Sequence, residues 1–191
     1  MPKISAPSVP EHREAQRAAL IAAAEAILLA EGVAGVGPRS VTERAGLARS
    51  SFYDYFPSKN ELLVAVATKA FEQWRREIEA ELARWAPGTE RLKAYIATTL
   101  RMAADGKHDL AAVLQQAELT PSRHEDIRAL HDALFAPLAA TLAELGLTDS
   151  HSWAALIEGT LNGALKLIDH GADHEAVAAA VQAFVLEGLP R

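Results

Sequence analysis

The chain has 191 residues, of which half are hydrophobic, 6% are aromatic and none is cysteine. The lack of cysteine excludes a disulfide framework and a thiolate metal site, and it is typical of a reducing compartment, so a cytoplasmic location is expected. The net charge of −6 argues against nucleic-acid binding over the whole surface, but it is unevenly distributed. Residues 1–59 carry seven Lys/Arg against six Asp/Glu, whereas the remainder carries twelve against nineteen. A near-neutral head and an acidic body are therefore predicted.

The N-terminal residues lack the features of a targeting segment. Residues 1–10 contain three prolines and no apolar core, so we expect a disordered arm rather than a signal peptide. No segment is expected to supply the ~20 consecutive apolar residues of a membrane span. Leu20, Ala24, Ile27 and Leu28 then recur at helical spacing, which predicts a helix over 11–31 that Gly32 stops.

Two short helices follow, separated by a tight turn. Pro38 stands after Gly37, at the first helical position where its missing amide costs nothing, and a helix is predicted to run to about Arg44. Gly46 is placed to take a positive φ in the turn 45–48. A third helix is predicted over 49–56 before Pro57.

The rest of the chain is predicted to be helical as well. Ser58 and Glu61 form a capping-box pattern that opens a long helix linking head to body. Further start and stop signals are Thr89, Ser122, Asp149 or Thr148, and Asp173, with Pro137 as a kink inside one helix. The predicted helices are 58–85, 89–105, 107–118, 122–145, 149–169 and 173–187. The fold class is therefore all-α, with about nine helices.

The last two predicted helices, about 149–169 and 173–187, are apolar on nearly every side. Such helices must be buried on every side, which two terminal helices of a small body do not achieve within one chain. We therefore expect them to pack against a second copy as a homodimer. Gly159 and Gly163, four residues apart, would allow close approach across that interface.

The third predicted helix has two distinct faces. Phe52 and Phe56 share one face and are expected to pack on the first two helices, against Leu20, Ile27 and Val41. Ser50, Ser51 and Asp54 point the other way, Tyr53 and Tyr55 lie on the flanks, and Arg49 stands at the start, where recognition helices usually meet base edges.

The segment 32–66 resembles the helix-turn-helix region of the TetR/AcrR family of transcriptional regulators. The resemblance is carried by Ala45-Gly46-Leu47, by Phe52-Tyr53 with Phe56, and by Ser58-Lys59 followed by Glu61-Leu62-Leu63. It implies a DNA-binding domain at 11–57 and a ligand-binding and dimerisation domain at 58–191. It further implies a dimeric regulator, a repressor of a palindromic operator that an unknown small molecule releases.

The resemblance also implies which side chains contact the duplex. Arg39, Ser40, Arg44, Tyr53, Tyr55 and Lys59 would contact the DNA backbone, and Arg49, Ser50 and Ser51 would meet bases, since arginine reading guanine is the commonest specific pairing.

Three residues depart from the family pattern. Ala48 stands where a capping serine is usual, a loss of ~1 kcal/mol. Thr42 replaces a core alanine and is expected to bond back to a carbonyl one turn earlier. Asp54 replaces an outward base and is expected to lie beyond the groove.

For the body, the resemblance implies a ligand cavity, and no cofactor or metal is expected. The candidate lining residues are Phe71, Trp74, Ile78, Tyr95, Gln115, Glu118, His131, Phe135, Trp153 and Asn162. An apolar lining is usual for such sites, although most of these residues would serve as core.

Two other readings stay open. The first is an all-helical small-molecule carrier or enzyme with a non-functional head, and the second is a ligand-free DNA-binding dimer switched by a partner protein. An enzyme is not expected, because there is no phosphate-binding glycine loop and no nucleophile elbow. The histidine pairs 124/131 and 170/174 have no third ligand at metal-binding spacing.

Overall fold

The structure, a computed structural model, describes residues 9–106, 110, 113–114, 117 and 119–189. Within these ranges the secondary structure is entirely helical, which confirms the expected fold class. A 3-10 turn at Arg49–Ser51 precedes α3. The α-helices are α1 (Val9–Gly35), α2 (Pro38–Ala45), α3 (Phe52–Tyr55), α4 (Lys59–Leu82), α5 (Thr89–Ala104), α6 (Pro121–Glu144), α7 (Ser150–Asp169) and α8 (His174–Gly188).

Several helix ends differ from the sequence predictions. The N-cap of α5 is Gly88 and not Thr89, and α4 ends at Leu82 rather than near Trp85. Helix α6 begins at Pro121, one residue before Ser122, because proline is well tolerated at the first position. Pro137 lies inside α6, as expected. The predicted helix 107–118 falls mostly outside the described residues.

The predicted disordered arm, residues 1–10, overlaps the first helix. Helix α1 already includes Val9 and Pro10, and residues 1–8 lie outside the described ranges. Within α1, Gly32 has φ 69°, so the regular helix is interrupted where the sequence predicted its stop.

By length and composition α1 is apolar enough to cross a membrane, so the expectation that no segment reaches this length does not hold for it. The finding is weak evidence for a membrane span, since the core helix of a soluble protein passes the same test. In this chain Leu20, Ala24 and Ile27 of α1 are buried in the structure.

Two compact units are present. The first comprises 1–69 with 110–127, and the second comprises 70–109 with 128–191. The division falls within α4 rather than at the sequence boundary 57/58, because Leu62, Leu63 and Val66 of α4 are buried and belong to the first unit.

The second unit is built on α5, which packs against α7 and α8. Its core includes Leu92, Ile96, Leu138 and Leu161. The amide of Gln182 on α8 donates to the carbonyl of Lys93 on α5 at 3.0 Å. Asp149 and Asp173 cap α7 and α8 by accepting from the amides of Ser152 and Ala176, as two of the start signals predicted.

Candidate nucleic-acid interface

The turn between α2 and the recognition segment, Arg49–Phe56, is set by one glycine. Gly46 has φ 69° and ψ 28°, a left-handed conformation that residues with a Cβ rarely adopt. The amide of Leu47 donates to the carbonyl of Thr42 at 2.9 Å and closes the turn. The positive φ expected for Gly46 is confirmed.

The recognition segment starts without a side-chain cap. Ala48 occupies the N-cap position in an extended conformation, with φ −65° and ψ 144°, and offers no acceptor to the first amides. The predicted single helix 49–56 is instead a 3-10 turn followed by the four-residue α3. We attribute this to the missing cap, since 3-10 turns are common where α-helical ends lack partners.

The two faces of the recognition segment separate as predicted. Phe52 and Phe56 are buried, at 0% and 2% exposure, with ring centroids 6.1 Å apart. Tyr53 is 64% exposed, and Arg49, Ser50 and Asp54 are exposed as well. Ser51, expected on the outer face, is half-buried. The outer face therefore presents small polar groups, one arginine and one phenol ring to solvent.

The arginines of this region differ in their partners. Arg39 pairs with Glu43 one turn later at 2.8 Å, and both side chains are largely exposed. Arg44 and Arg49 are exposed and form no ion pair within the described ranges. These two guanidinium groups are thus available to an anionic partner without breaking an existing pair.

Two other predicted DNA contacts are already bonded inside the unit. The hydroxyl of Ser40 donates to the carbonyl of Gly35 at 2.7 Å and accepts from the amide of Gly37 at 3.0 Å. The ammonium of Lys59 donates to the carbonyl of Val33 at 2.6 Å. Both side chains therefore satisfy the backbone of the turn between α1 and α2. Lys59 keeps two further protons for another acceptor.

Tyr55 is half-buried and bonded to α1. Its hydroxyl pairs with Oε1 of Gln16, and the guanidinium of Arg13 lies 5.1 Å from its ring centroid. Its predicted phosphate contact would have to share the hydroxyl with Gln16.

Sequence reasoning missed the α1 side of these contacts. Arg13 also donates to the backbone carbonyl of Asp54 at 2.8 Å, and Arg17 lies over the ring of Phe56 at 5.3 Å. The signal was present, since Arg13, Gln16, Arg17 and the buried Leu20 stand at i, i+3, i+4 and i+7, on one helix face. Only the apolar part of that face was used in the prediction.

Thr42 and Asp54 are the other two departures from the family pattern. Thr42 is buried, and its hydroxyl donates to the carbonyl of Pro38 at 2.7 Å, which confirms the expected bond one turn back. Asp54 is exposed and contributes its backbone carbonyl to Arg13. Whether its carboxylate lies beyond a groove stays a prediction.

The ligand candidates fall into three groups. Phe71, Trp74, Ile78 and Tyr95 are buried, Phe135 and Trp153 are half-buried, and Asn162 is exposed. Phe71 and Trp74 pack edge to face, with centroids 4.8 Å apart. Burial raises the pKa of Tyr95 well above its ordinary value, so its hydroxyl stays a neutral donor. Gln115, Glu118 and the side chain of His131 lie outside the described residues.

The second unit contains an open groove of about 580 Å³ among α4, α5 and α6. Its walls are mainly apolar and include Leu82, Ala136 and Pro137. Arg75 and Arg91 also line it, paired with Glu79 at 2.6 Å and with Glu144 at 2.7 Å. Among the predicted ligand residues whose side chains the structure describes, none lines this groove, because the prediction selected mainly large aromatic side chains, whereas alanine is the commonest residue in the lining.

A second apolar depression, of about 620 Å³, lies between α7 and α8 and includes Thr160, Gly163 and Phe184. A third, of about 260 Å³, shares Thr160 and Phe184 with it and contains Trp153. Leu156, Leu167 and Phe184 are 64%, 57% and 67% exposed. We call this exposed apolar surface the α7–α8 face.

In the part of the chain that the structure describes, no three His, Asp or Glu side chains come close enough together to hold a metal ion.

Comparison with known proteins agrees with this geometry. Residues 20–66 match the family described as bacterial regulatory proteins, tetR family. Two curated relatives from Mycobacterium tuberculosis strains, each named an uncharacterized HTH-type transcriptional regulator, are 33% identical over 86 residues, which are 45% of this chain. The matched segment spans 43% of the length of each relative.

Solved structures extend the likeness over nearly the whole chain. The regulator FadR from Bacillus subtilis, solved with stearoyl-CoA, superimposes with a TM-score of 0.75 at 22% identity, covering 91% of this chain and 99% of FadR. The TetR-family regulator PfmR from Thermus thermophilus gives 0.67 at 21% identity, covering 90% and 99%. These likenesses establish the fold. Residues 20–66 are thus similar in sequence to bacterial regulatory proteins of the tetR family, and over the rest of the chain the likeness to the solved structures is one of fold.

Proposed function

We propose that the chain is a ligand-responsive transcriptional regulator of the cytoplasm that binds a palindromic operator as a homodimer. It acts as a repressor by occlusion and is released when a small molecule binds the second unit. The observation that carries this proposal is the recognition segment, which buries Phe52 and Phe56 and turns Arg49, Ser50 and Tyr53 to solvent.

The chemistry of that outer face suits a DNA groove. Arg49 offers a bidentate fork for guanine, and Ser50 is small enough to let the backbone approach a base edge. Arg44, exposed and unpaired within the described ranges, supplies a cation for the phosphate backbone, to which most protein–DNA hydrogen bonds go. In this proposal Lys59 contacts a phosphate with the protons that Val33 leaves free.

Dimerisation is supported by the α7–α8 face. A monomer rarely exposes several large apolar side chains side by side, since each carries a hydrophobic cost of about 1.5–3 kcal/mol when left in water. A two-fold symmetric interface buries the same patch on both copies, so the exposed Phe184 of each copy would be covered. The dimer then presents two recognition segments to half-sites about one helical turn apart, or somewhat more.

The groove among α4, α5 and α6 supports a small-molecule effector with an apolar body and an anionic end. Its walls are mainly apolar, and the guanidinium groups of Arg75 and Arg91 line it in ion pairs with Glu79 and Glu144, whose carboxylates an anionic end would have to displace. The FadR structure of the same fold contains stearoyl-CoA, which has this chemistry, so stearoyl-CoA is the first probe we would test. The ligand shifts operator affinity only by its differential affinity for the two states.

The experiment that tests the proposal is selection of duplexes from a random pool at two salt concentrations, followed by sequencing and a salt titration of the best duplex. The expected result is a palindromic motif whose affinity falls steeply with salt. A folded protein that enriches no motif would refute DNA binding. Addition of stearoyl-CoA then tests release from the selected duplex.

A matched pair of variants locates the interface. Arg44→Gln and Arg76→Gln each remove one exposed arginine, the first from α2 and the second from α4 in the second unit. Only Arg44→Gln should lower the slope of log affinity against log salt, by about 0.9. An equal loss for Arg76→Gln would mean that the head is not the binding surface.

A further inference from the structure

The recognition segment is too short to be stable alone. It consists of one 3-10 turn and four α-helical residues, while isolated helices need roughly 12–15 residues to persist in water. Its start has no side-chain cap, because Ala48 offers none. Its geometry must therefore be fixed by contacts from elsewhere in the first unit.

Three side chains of α1 supply such contacts at the other end of the segment. Arg13 donates to the carbonyl of Asp54 at 2.8 Å, a group in the last turn of α3 that has no amide partner within so short a helix. The same guanidinium lies 5.1 Å from the centroid of Tyr55. Gln16 accepts from the hydroxyl of Tyr55, and Arg17 lies over Phe56.

These contacts reach three consecutive residues, Asp54, Tyr55 and Phe56, from one face of α1. They fix the rotation of the segment about its own axis, which decides whether Arg49, Ser50 and Tyr53 face outward together. Cation–π contacts and charge-assisted hydrogen bonds are directional, so this face specifies orientation as well as proximity.

We propose that Arg13, Gln16 and Arg17, here called the α1 clamp, are positioning residues that orient the recognition segment and thereby set DNA affinity without themselves contacting DNA. Only the predicted effect on DNA affinity rests on the proposed function. The orientation itself is a property of the free chain.

The first test is hydrogen exchange of the free full-length chain. In Arg13→Gln the amides of residues 52–56 should exchange about tenfold faster than in the wild type, because a charge-assisted bond to Asp54 is lost. Exchange in α5, α7 and α8 should not change. Arg13→Lys should recover part of the protection, since an ammonium still donates to the carbonyl, and Arg13→Met should not. Unchanged exchange at 52–56 in Arg13→Gln would overturn the proposal.

Tyr55→Phe is the second variant, which keeps the ring beneath Arg13 and removes only the bond to Gln16. It should accelerate exchange at 52–56 by a smaller factor than Arg13→Gln. An increase spread equally over α1, α2 and α4 in both variants would indicate general destabilisation of the unit and would contradict the clamp.

The second test uses the selected duplex. Arg13→Gln should weaken binding about tenfold at every salt concentration and leave the salt slope unchanged. A fall in slope by about 0.9 would make Arg13 a phosphate contact and overturn the proposal. Arg76→Gln serves as the control for loss of one positive charge. A wild type that binds no duplex would refute the proposed function, whereas the exchange experiment decides the clamp independently.

Discussion

The two compact units expose opposite kinds of surface. In the first, the recognition segment buries Phe52 and Phe56 and exposes Arg49, with Arg44 nearby in sequence on α2. In the second, the α7–α8 face exposes Leu156 and Phe184. A surface of cations and small polar groups suits a polyanion, while a surface of large apolar groups suits a second apolar surface. One chain therefore carries two exposed surfaces of different chemistry.

The largest effect is expected for a substitution on the α7–α8 face. Phe184→Glu places a charge in the proposed dimer interface twice, and an uncompensated buried charge costs about 3–5 kcal/mol. The dissociation constant of the dimer should rise at least about a hundredfold, as measured by sedimentation or light scattering over a dilution series.

Leu29→Glu is the matched control, since Leu29 is a 53% exposed leucine on α1. It should leave the dimer intact. A Phe184→Glu protein that stays dimeric at the concentrations where the wild type is dimeric would remove the α7–α8 face from the interface.

The next largest effect is expected on DNA affinity, for a substitution in the recognition segment. Arg49→Ala should weaken binding to the selected operator by about 1–3 kcal/mol and relax the base preference at one position in each half-site. Fluorescence anisotropy with the operator and with single-base variants measures both. A uniform loss across all sequences would assign Arg49 to a phosphate instead.

Lys59, a proposed DNA contact, is also expected to stabilise the folded chain through its bond to Val33. Lys59→Met removes the donor to the carbonyl of Val33, and the free energy of unfolding should fall by about 1–2 kcal/mol without DNA present. Urea unfolding measures this loss, with Lys69→Met as a control whose exposed pair to Glu25 should contribute less than about 1 kcal/mol. Equal stability of Lys59→Met and the wild type would show that the bond to Val33 contributes nothing.

The smallest expected effect is a gain in the free energy of unfolding. Ala48→Ser supplies the missing cap in a residue that is already extended, and it should raise the free energy of unfolding by about 0.5–1 kcal/mol. Thermal unfolding measures the change, and Ala48→Val, which offers no acceptor, is the control. If Ala48→Ser and Ala48→Val are equally stable, the missing cap does not limit the stability of the recognition segment.

The sequence predicted the head better than the body, for a physical reason. In the head, single residues have local roles that leave few alternatives: Gly46 needs a positive φ, Phe52 and Phe56 need a core, and Thr42 bonds within its own helix. The sequence did not predict the distant partners, namely Val33 for Lys59 and Gln16 for Tyr55. Spacing along one helix does not reveal such pairs.

In the body, the helices and the two aspartate caps were predictable, but the groove was not. The groove exists because small residues such as Ala133, Ala136 and Ala140 leave space beside Leu82, and absence of side-chain volume gives no signal in a chain rich in alanine. Most of the candidate residues were expected to serve as core, and Phe71, Trp74 and Tyr95 are buried. The last two helices, by contrast, could be recognised from the sequence because apolar residues recur in every turn of each helix.

In the proposed function, two chains joined through the α7–α8 face bind a two-fold symmetric operator with their two recognition segments. The most direct measurement is native mass spectrometry of the wild type and of Phe184→Glu with the selected operator and with a single half-site. We expect two chains per operator for the wild type and loss of tight binding for Phe184→Glu. One chain bound per duplex, or equal operator affinity for both proteins, would contradict it.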